Sequence, residues 1–413
     1  MIPGREANLP RAAARASEGG SAPHLRRLNL DRVLAFAMRH PEPFTRAQLI
    51  DATGLSAPTV GSLVGHLIRT GVVRHLGTGP SRGGRRPSFM EFNARHGYVV
   101  GIDIAPVRTR IAVADLRGER LAHRELPTPS DAGPAALLSR VAAGLRSLLE
   151  EAGVPPDRLL GVAAGAPGAV DRERGIVVAL APNLSGWSDV PMAAMLEGAL
   201  GAPVVAENDV NLAVLGEHWR GAARGHGTCA FISVGMGIGA GILLGGELHR
   251  GHRFLAGEIA LMCMGPQFVS GDFGSHGCLE SLAALPAVAG RWPSSEPTDP
   301  EQRAVRLVEA ARQGDRDARR AIEEAGTFIG IAAANLSLVL DPSLIVLGGP
   351  MAIRGGCFAE QVQRTVARIL PVPTAIEVSA LGSEAVLWGS LLVALQEARA
   401  RLRSQVRAAA VPA

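Results

Sequence analysis

The chain has 413 residues, of which 47% are hydrophobic, 19% charged and 4% aromatic. This composition can build the cores of two or three domains, and it excludes wholesale disorder, a collagen-like fibre and a disulfide scaffold. All 42 basic residues are arginine, so no mechanism can use a lysine base, a Schiff base or a P-loop lysine. The net charge of +4 is unevenly spread, with +8 on residues 1–97 and −4 on the rest. A basic head on an acidic body suggests that the head alone meets a polyanion. Cys229, Cys263, Cys278 and Cys357 lack CxxC spacing and imply no disulfide framework. No run of eighteen apolar residues and no signal-like N-terminus occurs, so a cytoplasmic protein without membrane contact is expected.

Residues 1–24 are rich in Ala, Gly, Pro and Arg and read as a flexible tail. A first helix is expected from Leu28, with Leu28, Leu30, Val33, Leu34, Ala37 and Met38 at helical spacing and Pro41 and Pro43 as its stop. Thr45 and Gln48 form a capping box for a short second helix that carries Leu49 and Ile50 and ends at Gly54. Ser56 can cap a third helix, on which Val60, Leu63, Val64, Leu67 and Ile68 make one apolar stripe. The other face is small or polar, as entry into a major groove requires. An ordinary three-helix bundle shares this periodicity, but a hairpin follows: a strand at 72–76, an arginine- and glycine-rich loop, and a return strand at 88–92. Residues 25–96 thus read as a winged helix-turn-helix for double-stranded operator DNA. Its expected contacts are Arg46, Ala57, Pro58, Thr59, Ser62 and His66 on the helices and Arg82, Arg85 and Arg86 on the wing.

From Tyr98 the pattern becomes α/β. Strands are expected at 99–104, 111–115 and 120–126, a helix at 135–152 and a strand at 159–164. A second set opens with 230–234, followed by Gly235-Met236-Gly237, and closes with 337–347 running from helix into strand. Two such halves imply two lobes about a cleft, one at 97–212 completed by the segment 384–404 and one at 213–383.

Several motifs recur in one order along the body: Gly165-Ala166-Pro167-Gly168, Asn183-Leu184-Ser185-Gly186-Trp187, Glu207-Asn208-Asp209, Gly257-Glu258-Ile259, Gly277-Cys278-Leu279-Glu280 and Ile345-Val346-Leu347-Gly348-Gly349. With the wing sequence Gly83-Gly84-Arg85-Arg86-Pro87, the chain from about Leu28 to about Leu395 resembles the ROK family (repressors, open reading frames and kinases) in its winged-helix branch. The resemblance implies the two-lobed actin-like, RNase-H-like sugar-kinase fold. It places Asn208, Asp209, Glu258 and Glu280 on a sugar, with Asp209 aligned to the base of the family's kinases. Carboxylates and amides suit a ring of hydroxyls that both donate and accept.

Departures from the family pattern separate kinase from sensor. Where the kinases have Asp-x-Gly-Gly-Thr, Asp103-Ile104 is followed by Ala105-Pro106-Val107. Pro106 lacks an N–H, and Val107 lacks a hydroxyl. The second turn, Gly-Thr-Gly in the kinases, has Met236 at its centre. Without these phosphate cradles no ATP is expected and phosphoryl transfer should fail. Leu261, Gly271 and Phe273 replace three of the four zinc ligands implied by the family, leaving Cys278, so no zinc is expected either. The expected function is a non-enzymatic, sugar-responsive DNA-binding regulator acting as a homodimer or higher homo-oligomer. The alternatives are a sugar kinase with a fused DNA-binding head and a ligand-independent DNA-binding protein.

Overall fold

The computed structural model describes residues 22–78, 87–129, 131–181, 183–274, 276–293, 300–354 and 356–409. The chain divides into two compact units: the residues up to Asn93 together with those from Arg403 on, and Ala94–Leu402.

In the first unit, α1 (Ala22–Arg39) begins earlier than its apolar spacing predicts, and Leu28 is exposed on it while Leu30, Val33 and Leu34 face inward. The capping box forms at α2 (Arg46–Thr53): the Thr45 hydroxyl accepts from the Gln48 N–H, and Gln48 Oε1 accepts from the Thr45 N–H at 2.8 Å. Gly54, at φ 67°, ends α2 in the left-handed region that favours glycine. Ser56 caps α3 (Ala57–Arg69), whose Val60, Leu63, Val64 and Leu67 are buried. Strands β2 (Val73–Thr78) and β3 (Ser88–Phe92) form the expected antiparallel pair. A two-residue strand without sequence signal, β1 (Phe44–Thr45), adds to β3. The expected wing contacts Arg82, Arg85 and Arg86 lie outside the described residues.

The second unit holds two five-stranded sheets of matching plan, each a three-strand antiparallel meander extended by two parallel strands. In the first, β4 (Tyr98–Ile104), β5 (Arg108–Asp115) and β6 (Arg120–Pro127) form the meander. Helix α4 (Pro134–Glu151) leads to β7 (Leu159–Ala166), which lies parallel to β4. A hairpin of β8 (Ala169–Asp171) and β9 (Ile176–Ala179) and then α5 (Met192–Leu200) precede β10 (Val204–Asn208), parallel to β7. The order is β10-β7-β4-β5-β6.

Helix α6 (Asp209–Arg220) leads to the second meander, β11 (Cys229–Val234), β12 (Ile238–Leu244) and β13 (Glu247–Leu248). Helices α7 (Cys278–Ala283), α8 (Leu285–Arg291), α9 (Pro300–Arg312) and α10 (Arg316–Leu340) follow. Then come β14 (Leu344–Gly348), α11 (Pro350–Arg354), α12 (Gly356–Ile369) and β15 (Ile376–Val378), giving the order β13-β12-β11-β14-β15. Among the described residues α10 is the one helix long and apolar enough to cross a bilayer, but 56% of that stretch is buried within the protein. Gly326 and Gly330 bring α10 against α12, where an added Cβ would lie 2.9 Å from Gln361 Cβ and 2.5 Å from Thr365 Cβ.

The last helix, α13 (Ala385–Ala408), packs on the first sheet: a Cβ at Gly101 would stand 2.9 Å from the Leu391 nitrogen. The residues from Arg403 on belong to the first unit. There the Val406 carbonyl lies 3.0 Å from His66 Nε2 on α3, and Arg407 pairs with Asp31 on α1. The expected segment 384–404 thus runs further than its apolar pattern indicates, and its end completes the core of the head.

Truncation after Leu402 should selectively destabilise the first unit. It exposes the neighbours of Val406, a loss of roughly 1.5–3 kcal/mol, and removes the hydrogen bond at His66, on the order of 1 kcal/mol more because the freed imidazole can meet water. Limited proteolysis should then cut within α1–α3 while Ala94–Leu402 stays protected. Equal resistance of both chains would show that these contacts contribute little.

Candidate functional site

The site is organised around Glu207 at the end of β10, whose side chain is fully buried. Its Oε1 accepts from the Asn208 N–H at 3.1 Å and from Asn211 Nδ2 at 3.0 Å. Arg250 donates to Oε2 through Nε at 2.8 Å and Nη2 at 2.7 Å, and Arg172 stands at 3.6 Å. This carboxylate therefore joins the β10–α6 junction to the loop that leads into Gly257-Glu258. Asn208 caps α6 by accepting from the Asn211 N–H at 2.9 Å, and its Nδ2 donates to the Gly168 carbonyl at 3.0 Å.

All four sugar candidates, Asn208, Asp209, Glu258 and Glu280, line one cavity of about 610 Å3, joined by Asn183 and His276. Glu280 Oε2 accepts from the Ile238 N–H at 2.8 Å, while its buried Oε1 has no partner. Burial raises the carboxyl of Glu280 and pushes Asp209 up to about 6. Glu258 is pushed up to about 7 by burial and by the charges of Asp209 and Glu280. Asp209 Oδ1 accepts from the Val210 N–H at 2.8 Å, so Glu280 Oε1 is the acceptor in want of a donor, which a hydroxyl group can supply.

The turns Ala105-Pro106-Val107 and Gly235-Met236-Gly237 line the same cavity. The Ala105 N–H is turned onto the Arg108 carbonyl at 3.3 Å, and the Gly235 N–H donates to the Gly237 carbonyl at 3.0 Å. Beside them Arg110 bridges Asp103 at 3.2 Å and Glu125 at 3.1 Å, and Arg108 pairs with Glu125 at 2.6 Å. Asp103 is pushed up to about 7, chiefly by burial and against the opposing pull of Arg110. No motif signals this ladder, because it forms across β4, β5 and β6 and not along the chain. Asn183 and Glu207 sit inside quoted motifs, but their separate parts emerge only from the packing.

The residues present do not fit the family's zinc. Leu261, Gly271 and Phe273 offer no ligand atom, Cys278 is buried, and Cys263 is exposed with its Sγ 3.2 Å from the Gly265 carbonyl. Among the described residues no three His, Cys, Asp or Glu side chains converge as a metal would need.

In the head, Arg46, Ala57, Pro58 and Ser62 are exposed and Thr59 is half-buried. His66 corrects the expectation for a DNA contact: it is 5% exposed and its ring is held at the Val406 carbonyl. Its spacing of three from Leu63 places it at the edge of the apolar stripe, where α13 and not DNA covers it.

Residues 99–397 match the ROK family. The chain is 30% identical over 369 residues to the xylose repressor of Caldicellulosiruptor bescii, spanning 86% of this chain and 92% of that one. A ROK family glucokinase from Streptomyces griseus, solved with glucose and AMPPNP, is 29% identical, with a TM-score of 0.64 over 73% of this chain and all of its own. A ROK family transcriptional regulator, a homologue of the E. coli MLC protein, shares the fold at 22% identity, with a TM-score of 0.72 over 93% of this chain and 99% of that one.

The raised carboxyls give the fold a pH signature. Between about pH 4 and 7 the folded state keeps protons on Asp209 and Glu258 that the unfolded chain has released, so stability falls as pH rises through that window. Glu258→Gln should therefore stabilise the unliganded protein at pH 8, by on the order of 1–3 kcal/mol, and leave it nearly unchanged at pH 4. Calorimetric melts at the two pH values check this; an equal effect at both would place the Glu258 charge outside the cluster.

Proposed function

The chain belongs to the ROK family, and from that premise we propose that it is a sugar-responsive transcriptional regulator without kinase activity. The observation that carries this reading is a contrast within one cavity. Its carboxylate end keeps acceptors for hydroxyls, including the unpartnered Glu280 Oε1, while the first turn aligned with a kinase phosphate cradle has Pro106 without an N–H and Val107 without a hydroxyl, and the second has Met236 where the kinases have a threonine. Asp209 then accepts a sugar hydroxyl without passing its proton to a catalytic step. The effector class is a pentose or hexose, a reading supported by the xylose repressor relative.

The head acts as a winged helix-turn-helix. Helix α3 presents Ala57, Pro58 and Ser62 to the major groove, and Arg82, Arg85 and Arg86, wing residues by their sequence, contact phosphates and the minor groove. One such head reads few base pairs, so the functional species is a homodimer on two half-sites. Sugar acts by binding the DNA-competent and DNA-incompetent forms with different affinity. The ligand set argues for a protein free of structural zinc.

Asp209→Asn should weaken sugar binding by roughly 30- to 1000-fold, the equivalent of about 2–4 kcal/mol for a lost charged acceptor and an unpaired hydroxyl. Operator affinity should be retained, because Asp209 lies in the other compact unit. Gel shifts with DNA recovered by genomic pulldown, titrated with xylose and glucose, read both effects; an unchanged sugar response in the variant would remove Asp209 from the effector site. Incubation of the wild type with ATP and the same sugars should give no sugar phosphate.

Replacing Arg85 and Arg86 together by Ala should lower operator affinity and flatten its dependence on salt, since fewer counterions are released. The same affinity across a salt titration would refute the wing assignment.

A further inference from the structure

We propose that the half of the cavity aligned with the kinase nucleotide side is an aglycone subsite, so that the preferred effector is a glycoside carrying an apolar aglycone and not a free monosaccharide. This rests on the sugar reading of the carboxylate end and extends it.

The two halves are contiguous through a single turn. A Cβ on Gly237 would lie 3.0 Å from Glu280 Oε2 and 3.5 Å from Asn183 Nδ2, which puts one side of the Gly235–Gly237 turn against the sugar residues. A Cβ on Gly235 would lie 3.4 Å from Pro350 Cδ, which puts the other side against the start of α11. Met236 stands between them. Beyond it the cavity is walled by Pro106, Val107, Leu285, Pro350 and Ile353.

Those walls are aliphatic, so they reward burial of apolar surface and offer hydroxyls little. The cations at that end are already matched. Arg108 and Arg110 face Glu125, and Arg110 also faces Asp103, so a phosphate arriving there would have to displace a carboxylate. Apolar walls with compensated charge suit a neutral, apolar group better than a nucleotide or a sugar phosphate. A glycosidic oxygen provides the link, because it joins a hydroxyl-rich ring on the Glu280 side to an apolar group on the Val107 side.

Isothermal titration of the full chain with xylose, glucose, their p-nitrophenyl glycosides in both anomers, and ATP tests the assignment. At least one glycoside should bind roughly 10- to 100-fold more tightly than its free sugar. Val107→Asn and Ile353→Ser, each checked for a cooperative melt, should reduce that advantage severalfold, with free-sugar affinity as the internal control. Asp209→Asn should weaken sugar and glycoside alike. A free sugar that binds as tightly as all its glycosides overturns the aglycone subsite and leaves the sugar site standing. Binding of neither overturns both readings. Micromolar binding of ATP at this end, lost in Val107→Asn, would make it a nucleotide site and overturn the proposal.

Discussion

One buried carboxylate holds the cleft together. Glu207 makes no direct approach to the cavity, yet its two oxygens fix the turn that presents Asn208 and Asp209 and restrain Arg250 on the approach to Glu258. A buried charge of this kind is tolerated because every side of it is met by a donor, and removing one partner leaves the rest uncompensated. Arg172 extends the arrangement by pairing also with Glu397 on α13 at 3.1 Å. The positions of the ligand-facing groups are thus consequences of an ion pair one layer beneath them.

The carboxylates above that layer are in tension with one another. Asp209, Glu258 and Glu280 share a half-dry cleft; desolvation raises the proton affinity of all three, and at Glu258 the charges of Asp209 and Glu280 add to it. A ligand rich in hydroxyls relieves both. That relief is binding free energy, and it becomes a signal only where two conformations of the protein offer it unequally.

Much of this was legible in the sequence wherever the governing interactions are local. The capping box at Thr45 and Gln48, the stripe of α3 and strands such as β3 and β6 follow from neighbouring residues and side-chain periodicity, whereas β5 begins at Arg108, three residues before its apolar run. Asn208, Asp209, Glu258 and Glu280 could be brought together because each lies in a recognisable motif, although no spacing indicates that they share one cavity. Leu28 shows the limit of periodicity: its position on the helix matches the core residues, but the surrounding packing stops short of it. The two-residue β1 exists only because β3 offers it an edge. The Asp103–Arg110–Glu125 ladder is set by the register of β4, β5 and β6, and the clasp of His66 by a neighbour 340 positions away. The assignment of His66 to DNA failed for the same reason, since helix periodicity says which face is covered but not by what.

The clasp between His66 and Val406 joins residues 340 positions apart. During synthesis, α1, α2 and α3 leave the ribosome long before the turns of α13 that complete their core. At roughly 5–20 residues per second, the nascent head waits about 17–70 s for its final strut. An interrupted chain therefore carries α3 without the contact that covers His66. Completion of the head's core waits until the whole intervening unit, Ala94–Leu402, has been synthesised.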